Sequence, residues 1–234
     1  MITRTDKNEI TYIIKGLSAI LIYFLLSKYQ SLPFILLHIN ISDLPSIIKI
    51  LYSLGVEMLI LILIYSIFEK EFKKAYQDIK KNHLTYFNEY LKYYILALIF
   101  MLLANSIINI LGGNISNNEA AVRSEFELYP IYTFISAVIL APLIEETVFR
   151  LSFRALFKND FLFITVSSLI FGGLHLLTTP VNYLFPLHLI AYCSCGFAFA
   201  YMLKKTNNIF VSMGFHFMHN GMIIAMQTFI LIFT

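Results

Sequence analysis

Several stretches of this chain stay apolar over about 20 residues, and that succession limits the fold more than any single residue does. They run Ile10–Leu26, Ile47–Phe68, Leu91–Leu111, Ile131–Phe157, Phe161–Leu177, Tyr183–Leu203 and Ile209–Phe233. In lipid a spanning segment must satisfy its own backbone, so runs of this length read as helices. The expected fold is an all-α, polytopic transmembrane helical bundle of about seven spans, forming one membrane domain over residues 1–234. A large soluble core is the competing reading, and composition rejects it. The chain is 59% hydrophobic and only 13% charged, where a soluble domain carries about 25%. No soluble-looking segment is long enough to bury a core of its own. The short apolar piece Pro33–Ile41 is too brief to cross, and as a re-entrant segment it would raise the count to eight.

The position of the bases sets an orientation. Arg4 and Lys7 precede the first run, Lys70, Lys73, Lys74, Lys80 and Lys81 follow the second, Arg154 and Lys158 the fourth, and Lys204 and Lys205 the sixth. All these clusters fall on one side, which places the N-terminus in the cytoplasm and the C-terminus outside. The first run is too long for a cleaved signal and reads as an uncleaved span. Glu69–Tyr90 mixes Lys, Glu, Phe and Tyr at loose helical spacing and is expected to lie as an amphipathic helix on the inner membrane face. The net charge of +3 forms no basic, aromatic-interleaved surface, so no nucleic-acid partner is expected. Cys193 and Cys195 sit inside an apolar run and read as small buried hydrophobes. No internal repeat of the kind that builds inverted-repeat transporters is visible.

Within the fourth run, Ala141-Pro-Leu-Ile-Glu-Glu-Thr-Val-Phe-Arg150 places two carboxylates and a guanidinium in a segment that otherwise crosses lipid. Each such charge costs about 2.5–3.5 kcal/mol at a helix centre. Glu146 and Arg150 stand four residues apart with the acid first, the favourable order for an ion pair on one face. Glu145 is rotated about 100° from Glu146 and points elsewhere. One carboxylate is neutralised, and the other is left for chemistry.

Two later runs carry polar groups, Phe171-Gly-Gly-Leu-His175 and His216-Phe-Met-His-Asn220. Singly, a membrane histidine or asparagine is explained by packing or interhelical hydrogen bonding. Their depth argues otherwise. With a turn near Lys158–Asp160, Glu145 and His175 both lie about 20 Å from it at 1.5 Å per residue. His216 lies about 15 Å beyond the Lys204–Asn208 turn, with Asn220 one turn further on the same face. Gly172 and Gly173 permit a close helix approach.

Glu145-Glu146-x-x-x-Arg150, Phe171-x-x-x-His175 and His216-x-x-x-Asn220 together resemble the CPBP family, which comprises the CAAX prenyl-endopeptidase-like and bacteriocin-processing (Abi) intramembrane proteases. The resemblance covers a catalytic core over residues 125–225; residues 1–111 carry no motif. It implies an intramembrane endopeptidase that cuts a peptide or a small membrane protein from the cytoplasmic side; the abundance of Ile, Asn, Lys and Phe points to an AT-rich bacterial genome, so the expected location is the plasma membrane of a bacterium. On that resemblance Glu145 matches the general base and His175 helps to hold the attacking water. Glu146 and Arg150 match a supporting ion pair, and His216 and Asn220 match the oxyanion-binding positions.

Two other classes remain open: a non-enzymatic bacteriocin-immunity or regulatory membrane protein, and a proton-coupled transporter using Glu145 and the histidines as a relay. Other intramembrane protease chemistries are absent: there is no His-Glu-x-x-His, no Gly-x-Ser-Gly, and no Asp deep in a span. The family is often labelled metallopeptidase, and Glu145, His175 and His216 could hold zinc, with His219 in reserve. A carboxylate and a histidine sharing one water form a complete base without an ion, so the favoured expectation is no cofactor. Glu57 is expected to hydrogen-bond inside the bundle, Lys15 to snorkel, His188 to pack or face the cavity, His219 to stand behind the site, and His38 to be unrelated to it.

Overall fold

The computed structural model describes residues 6–233. Among them the chain forms nine helices and one 3-10 turn, with no strand. Helix α1 is Asp6–Lys28, α2 the short Leu32–Leu36, α3 Ser46–Ile67, α4 Glu69–Ile110 and α5 Asn117–Leu128. Helix α6 is Pro130–Leu156, α7 Asp160–Leu174, α8 Phe185–Thr206 and α9 Ile209–Phe233. Six of these, α1, α3, α4, α6, α8 and α9, are long and apolar enough to cross a membrane. The chain is therefore an integral membrane protein of the expected all-α class. Arg4, part of the basic cluster before the first span, lies outside the described residues.

Helix α6 is the centre of the bundle and packs against α1, α3, α7, α8 and α9. Its core partners include Ile64, Phe68, Phe163 and Met213. Helix α1 comes close because Gly16 has no side chain; a Cβ there would stand 2.7 Å from the Ser152 carbonyl oxygen. The opposite face of α1 shows Ile10, Ile14, Leu17 and Leu21 at helical spacing, an apolar stripe turned to lipid.

Two stretches differ from the sequence expectations. Glu69–Tyr90 is helical but is not a separate element on the membrane face: it runs on into the third span as one 42-residue helix. No glycine or proline interrupts Glu69–Ile110, and its first half buries Phe72, Ala75 and Tyr90. Asn208 donates from Nδ2 to the Ala75 carbonyl at 2.9 Å and to Asp78 at 2.7 Å, and Asp78 also accepts from Asn82 and Tyr86. These bonds clamp the α8–α9 turn, where Asn207 takes the left-handed conformation (φ 52°) that asparagine tolerates. The fifth run, in turn, stops at Leu174 instead of Leu177. At 15 residues, α7 is about 22 Å long, short of the ~30 Å hydrocarbon thickness.

Lys15 has a partner at the start of α4. Its ammonium is 2.8 Å from Glu71, so α1 and α4 are joined by an ion pair. Glu57 accepts a hydrogen bond from Ser136 at 2.7 Å, the expected bond within the bundle, although its other oxygen is buried without a partner. His38 is exposed in the loop after α2.

Candidate active site

The site is built on a helix that changes pitch. Helix α6 widens to i→i+5 spacing over Phe134–Leu140, returns to α over Ala141–Glu145, and widens again over Glu146–Ser152. Such π-turns recur at functional sites because they re-aim side chains relative to a regular helix. In the first, the Ala141 N–H bonds to the Ser136 carbonyl. The next bond in that pattern would run from residue 142 to Ala137, but residue 142 is proline and has no N–H. Asn220 of α9 fills the vacancy, donating from Nδ2 to the Ala137 carbonyl at 2.8 Å. In the second, Ser152 donates to the Thr147 carbonyl at 3.0 Å and Thr147 to that of Leu143 at 2.7 Å, so side chains satisfy part of the loosened backbone.

The two neighbouring glutamates differ as the helix faces predict. Glu146 and Arg150 are completely buried, with Glu146 Oε2 3.5 Å from Arg150 Nε. That is a charge contact without hydrogen-bond geometry, since neither atom has a hydrogen-bond partner. The other Glu146 oxygen is 3.1 Å from His216 Nδ1. A carboxylate of this pair accepts, so Nδ1 carries the proton and donates. The opposite ring nitrogen, Nε2, lies 3.7 Å from Glu145 Oε2. Glu145 keeps 18% of its side chain exposed, whereas His216 keeps 5%. His216 therefore bridges the two glutamates, and only Glu145 retains an open side.

Helix α7 supports this network along a stripe at i, i+4 and i+8. Ser167 accepts a hydrogen bond from Arg150 Nη1 at 3.2 Å and donates to the Phe149 carbonyl at 2.5 Å. The Phe171 ring lies under the guanidinium, 4.5 Å from Cζ, a cation–π contact. The same ring meets His216 edge-on at 5.8 Å and His175 at 4.6 Å, so it stands between the two histidines. His175 is partly exposed at the end of α7. Its Nδ1 lies 2.9 Å from the Phe171 carbonyl oxygen. A carbonyl only accepts, so Nδ1–H is the donor and the neutral ring has its lone pair on Nε2. Gly172 lets α7 meet α8, since a Cβ there would overlap the Cys193 sulfur.

The expected site residues are thus brought together unequally. Glu145, Glu146, Arg150 and His216 form one network, and His175 joins it through Phe171. Asn220 lies on the same α9 face but is hydrogen-bonded to α6 backbone. His219 is turned to the far side, 3.2 Å from the Tyr94 hydroxyl and 3.8 Å from the Cys195 sulfur. His188 is buried in α8. Among the described residues no three His, Cys, Asp or Glu side chains assemble as a metal site. Ser167 and Tyr192, whose ring lies 5.2 Å from that of His175, were not foreseen. Ser167 was legible in principle, four residues before Phe171 on the same face; nothing in the sequence marks Tyr192.

The comparisons with known proteins fall on the same segment. Residues 127–222 match the family model for type II CAAX prenyl endopeptidase Rce1-like proteins. Over 118 residues, 49% of this chain and 45% of the relative, the sequence is 32% identical to "Putative membrane peptidase YdiL" of Bacillus subtilis (strain 168). Over 63 residues, 27% of each, it is 38% identical to "UPF0177 protein YaiH" of Lactococcus lactis subsp. lactis (strain IL1403). The matches span less than half the length of these relatives. No solved structure matches the chain. All three polar motifs, Glu145-Glu146-x-x-x-Arg150, Phe171-x-x-x-His175 and His216-x-x-x-Asn220, lie inside residues 127–222, the segment that is similar to the type II CAAX prenyl endopeptidase Rce1-like family.

Proposed function

We propose that the chain is an intramembrane endopeptidase that hydrolyses a peptide bond in a peptide or small membrane protein, with Glu145 as general base. The observation that carries this reading is the division between adjacent carboxylates. Glu146 is buried against Arg150 and His216, while Glu145 stands beside them with an open side. Water held between Glu145 and the His175 Nε2 lone pair attacks the carbonyl carbon, and Glu145 takes its proton. The carbon–nitrogen bond then breaks, the leaving nitrogen takes the proton from Glu145, and a carboxylic acid and an amine depart. His216 Nε2, when the ring carries both protons, and the second N–H of the Asn220 amide are the donors available to the oxyanion. One N–H of that amide is already engaged by Ala137, which orients the side chain.

The reaction proposed needs no metal. Zinc would require Glu145, His175 and His216 to converge on one ion. The imidazole in reserve, His219, is held by Tyr94 and faces away. Cleavage by purified protein is therefore expected to survive strong chelation; inactivation by a chelator, reversed by zinc alone, would replace the water base with a metal centre.

The test of the function uses purified protein in lipid vesicles with a mixture of fluorogenic apolar peptides. Glu145→Gln is expected to abolish cleavage while the protein remains folded. Full turnover by Glu145→Gln would remove the mechanism, and proton-coupled flux without cleavage would favour a transporter. The N-terminus is proposed to lie in the cytoplasm of a bacterial cell. With the native cysteines replaced, a cysteine within residues 69–88 should resist an impermeant thiol reagent in intact cells, and one within residues 116–127 should react. The reverse pattern would invert the protein in its membrane.

A further inference from the structure

His175 occupies a partly exposed position for a group asked to hold a reacting water. It caps the end of α7, and the chain leaves the helix immediately after it. One hydrogen bond, from Nδ1 to the Phe171 carbonyl, fixes one edge of the ring. Its face rests on Tyr192 of α8, with ring centroids 5.2 Å apart and planes inclined by 26°. Tyr192 is itself tied down. Its hydroxyl lies 2.6 Å from the Ser116 hydroxyl and accepts from Asn118 Nδ2 at 3.4 Å.

Both partners come from the segment between α4 and α6, and both lie outside residues 127–222. Ser116 is 2% exposed, and its oxygen also caps α5 by accepting the Glu119 N–H at 3.2 Å. Asn117, between them, holds the loop that follows His175: its side chain donates to the Thr178 carbonyl at 2.5 Å and its backbone N–H to the Thr179 hydroxyl at 3.3 Å. Three consecutive residues thus grip both the ring against which His175 stacks and the chain that leaves it. Packing alone would not call for a polar tripeptide aimed at both.

We propose that Tyr192 is a positioning residue for His175, and that Ser116-Asn117-Asn118 is the latch that fixes it. This rests on the peptidase reading. The stack holds the imidazole plane, the latch holds the stack, and Nε2 is thereby aimed at the water beside Glu145. A misplacement of about 1 Å in such a group costs on the order of 100-fold in rate.

The test combines kinetics on the fluorogenic peptide that the wild type cuts fastest with NMR of ring-labelled histidine in lipid nanodiscs. Tyr192→Leu removes the ring current felt by His175, so its ring signals should shift, and kcat should fall about 10- to 100-fold with KM unchanged. Tyr192→Phe keeps the stack and loses the latch. It should hold the His175 signals near their wild-type positions but broaden them, with a loss of a few-fold in kcat, and Ser116→Ala should behave likewise. These milder variants decide the matter if Tyr192→Leu does not fold. A purely structural role would lower yield and melting temperature and leave the kcat of the folded fraction unchanged, which would overturn the proposal. So would unmoved His175 signals in folded Tyr192→Leu. Wild-type protein without Glu145-dependent cleavage would instead overturn the peptidase reading, and the proposal with it.

Discussion

Lys15 of α1 and Glu57 of α3 each meet one polar partner on another helix, whereas in α6 and α9 ionisable side chains meet as a network. Lys15 closes on Glu71 and Glu57 on Ser136, each joining two helices. Around α6, by contrast, Glu145, Glu146, Arg150 and His216 share contacts, and Phe171 and Ser167 complete the surroundings of the guanidinium. A single pair in the bundle serves to join helices. A network can neutralise its buried charges and still leave one acid with an open side, and that asymmetry separates a site from a strut. Glu57, with one buried oxygen unpaired, is the intermediate case.

The contrast can be broken by substitution, with thermal unfolding of purified protein in detergent as the readout. Arg150→Ala is expected to have the largest effect, a loss of about 3–5 kcal/mol, because it strands Glu146 in a fully buried position. A mild loss would mean that His216 alone neutralises Glu146. Gly172→Ala forces a methyl group into Cys193 and should cost about 1–3 kcal/mol; no loss would show that α7 and α8 can part without harm. Lys15→Met should cost about 1 kcal/mol or less, since the pair with Glu71 is partly exposed at 23% and 13%. A loss as large as that of Arg150→Ala would erase the difference between the two halves. Glu145→Gln should lie within about 1 kcal/mol of wild type while losing activity. Strong destabilisation would make Glu145 a structural acid like its neighbour.

The parts of this arrangement written locally were legible in the sequence. The apolar runs gave the spans, and the four-residue spacing of Glu146 and Arg150 gave their pairing and the different direction of Glu145. The unbroken length of α4 was also on view, in the absence of any glycine or proline from Glu69 to Ile110, but the amphipathic pattern of its first half suggested a separate surface helix. The two π-turns were not legible, because an i→i+5 pattern is selected by packing against five other helices. The bond from Asn220 to Ala137 follows from such a turn meeting Pro142, so its partner could not be foreseen from α9. Nor could the orientation of His219: an imidazole three residues from His216 can turn toward the site or toward α4, and Tyr94, 125 residues away in sequence, decides it.

The shortness of α7 has a consequence for the bilayer itself. A helix of about 22 Å beside neighbours that reach across leaves a step of several ångströms in the protein's hydrophobic belt. Beyond that step Leu177, Val181 and Tyr183 are exposed in irregular chain, which suits the polar interface, since irregular backbone is not tolerated against hydrocarbon. Hydrophobic mismatch of this kind is relieved by local thinning, at fractions of a kcal/mol per ångström. A bilayer around this chain would then be expected to be thinner over α7 than over α4. Lipids with shorter acyl chains would fit that side with less deformation, which makes bilayer thickness a variable acting next to His175.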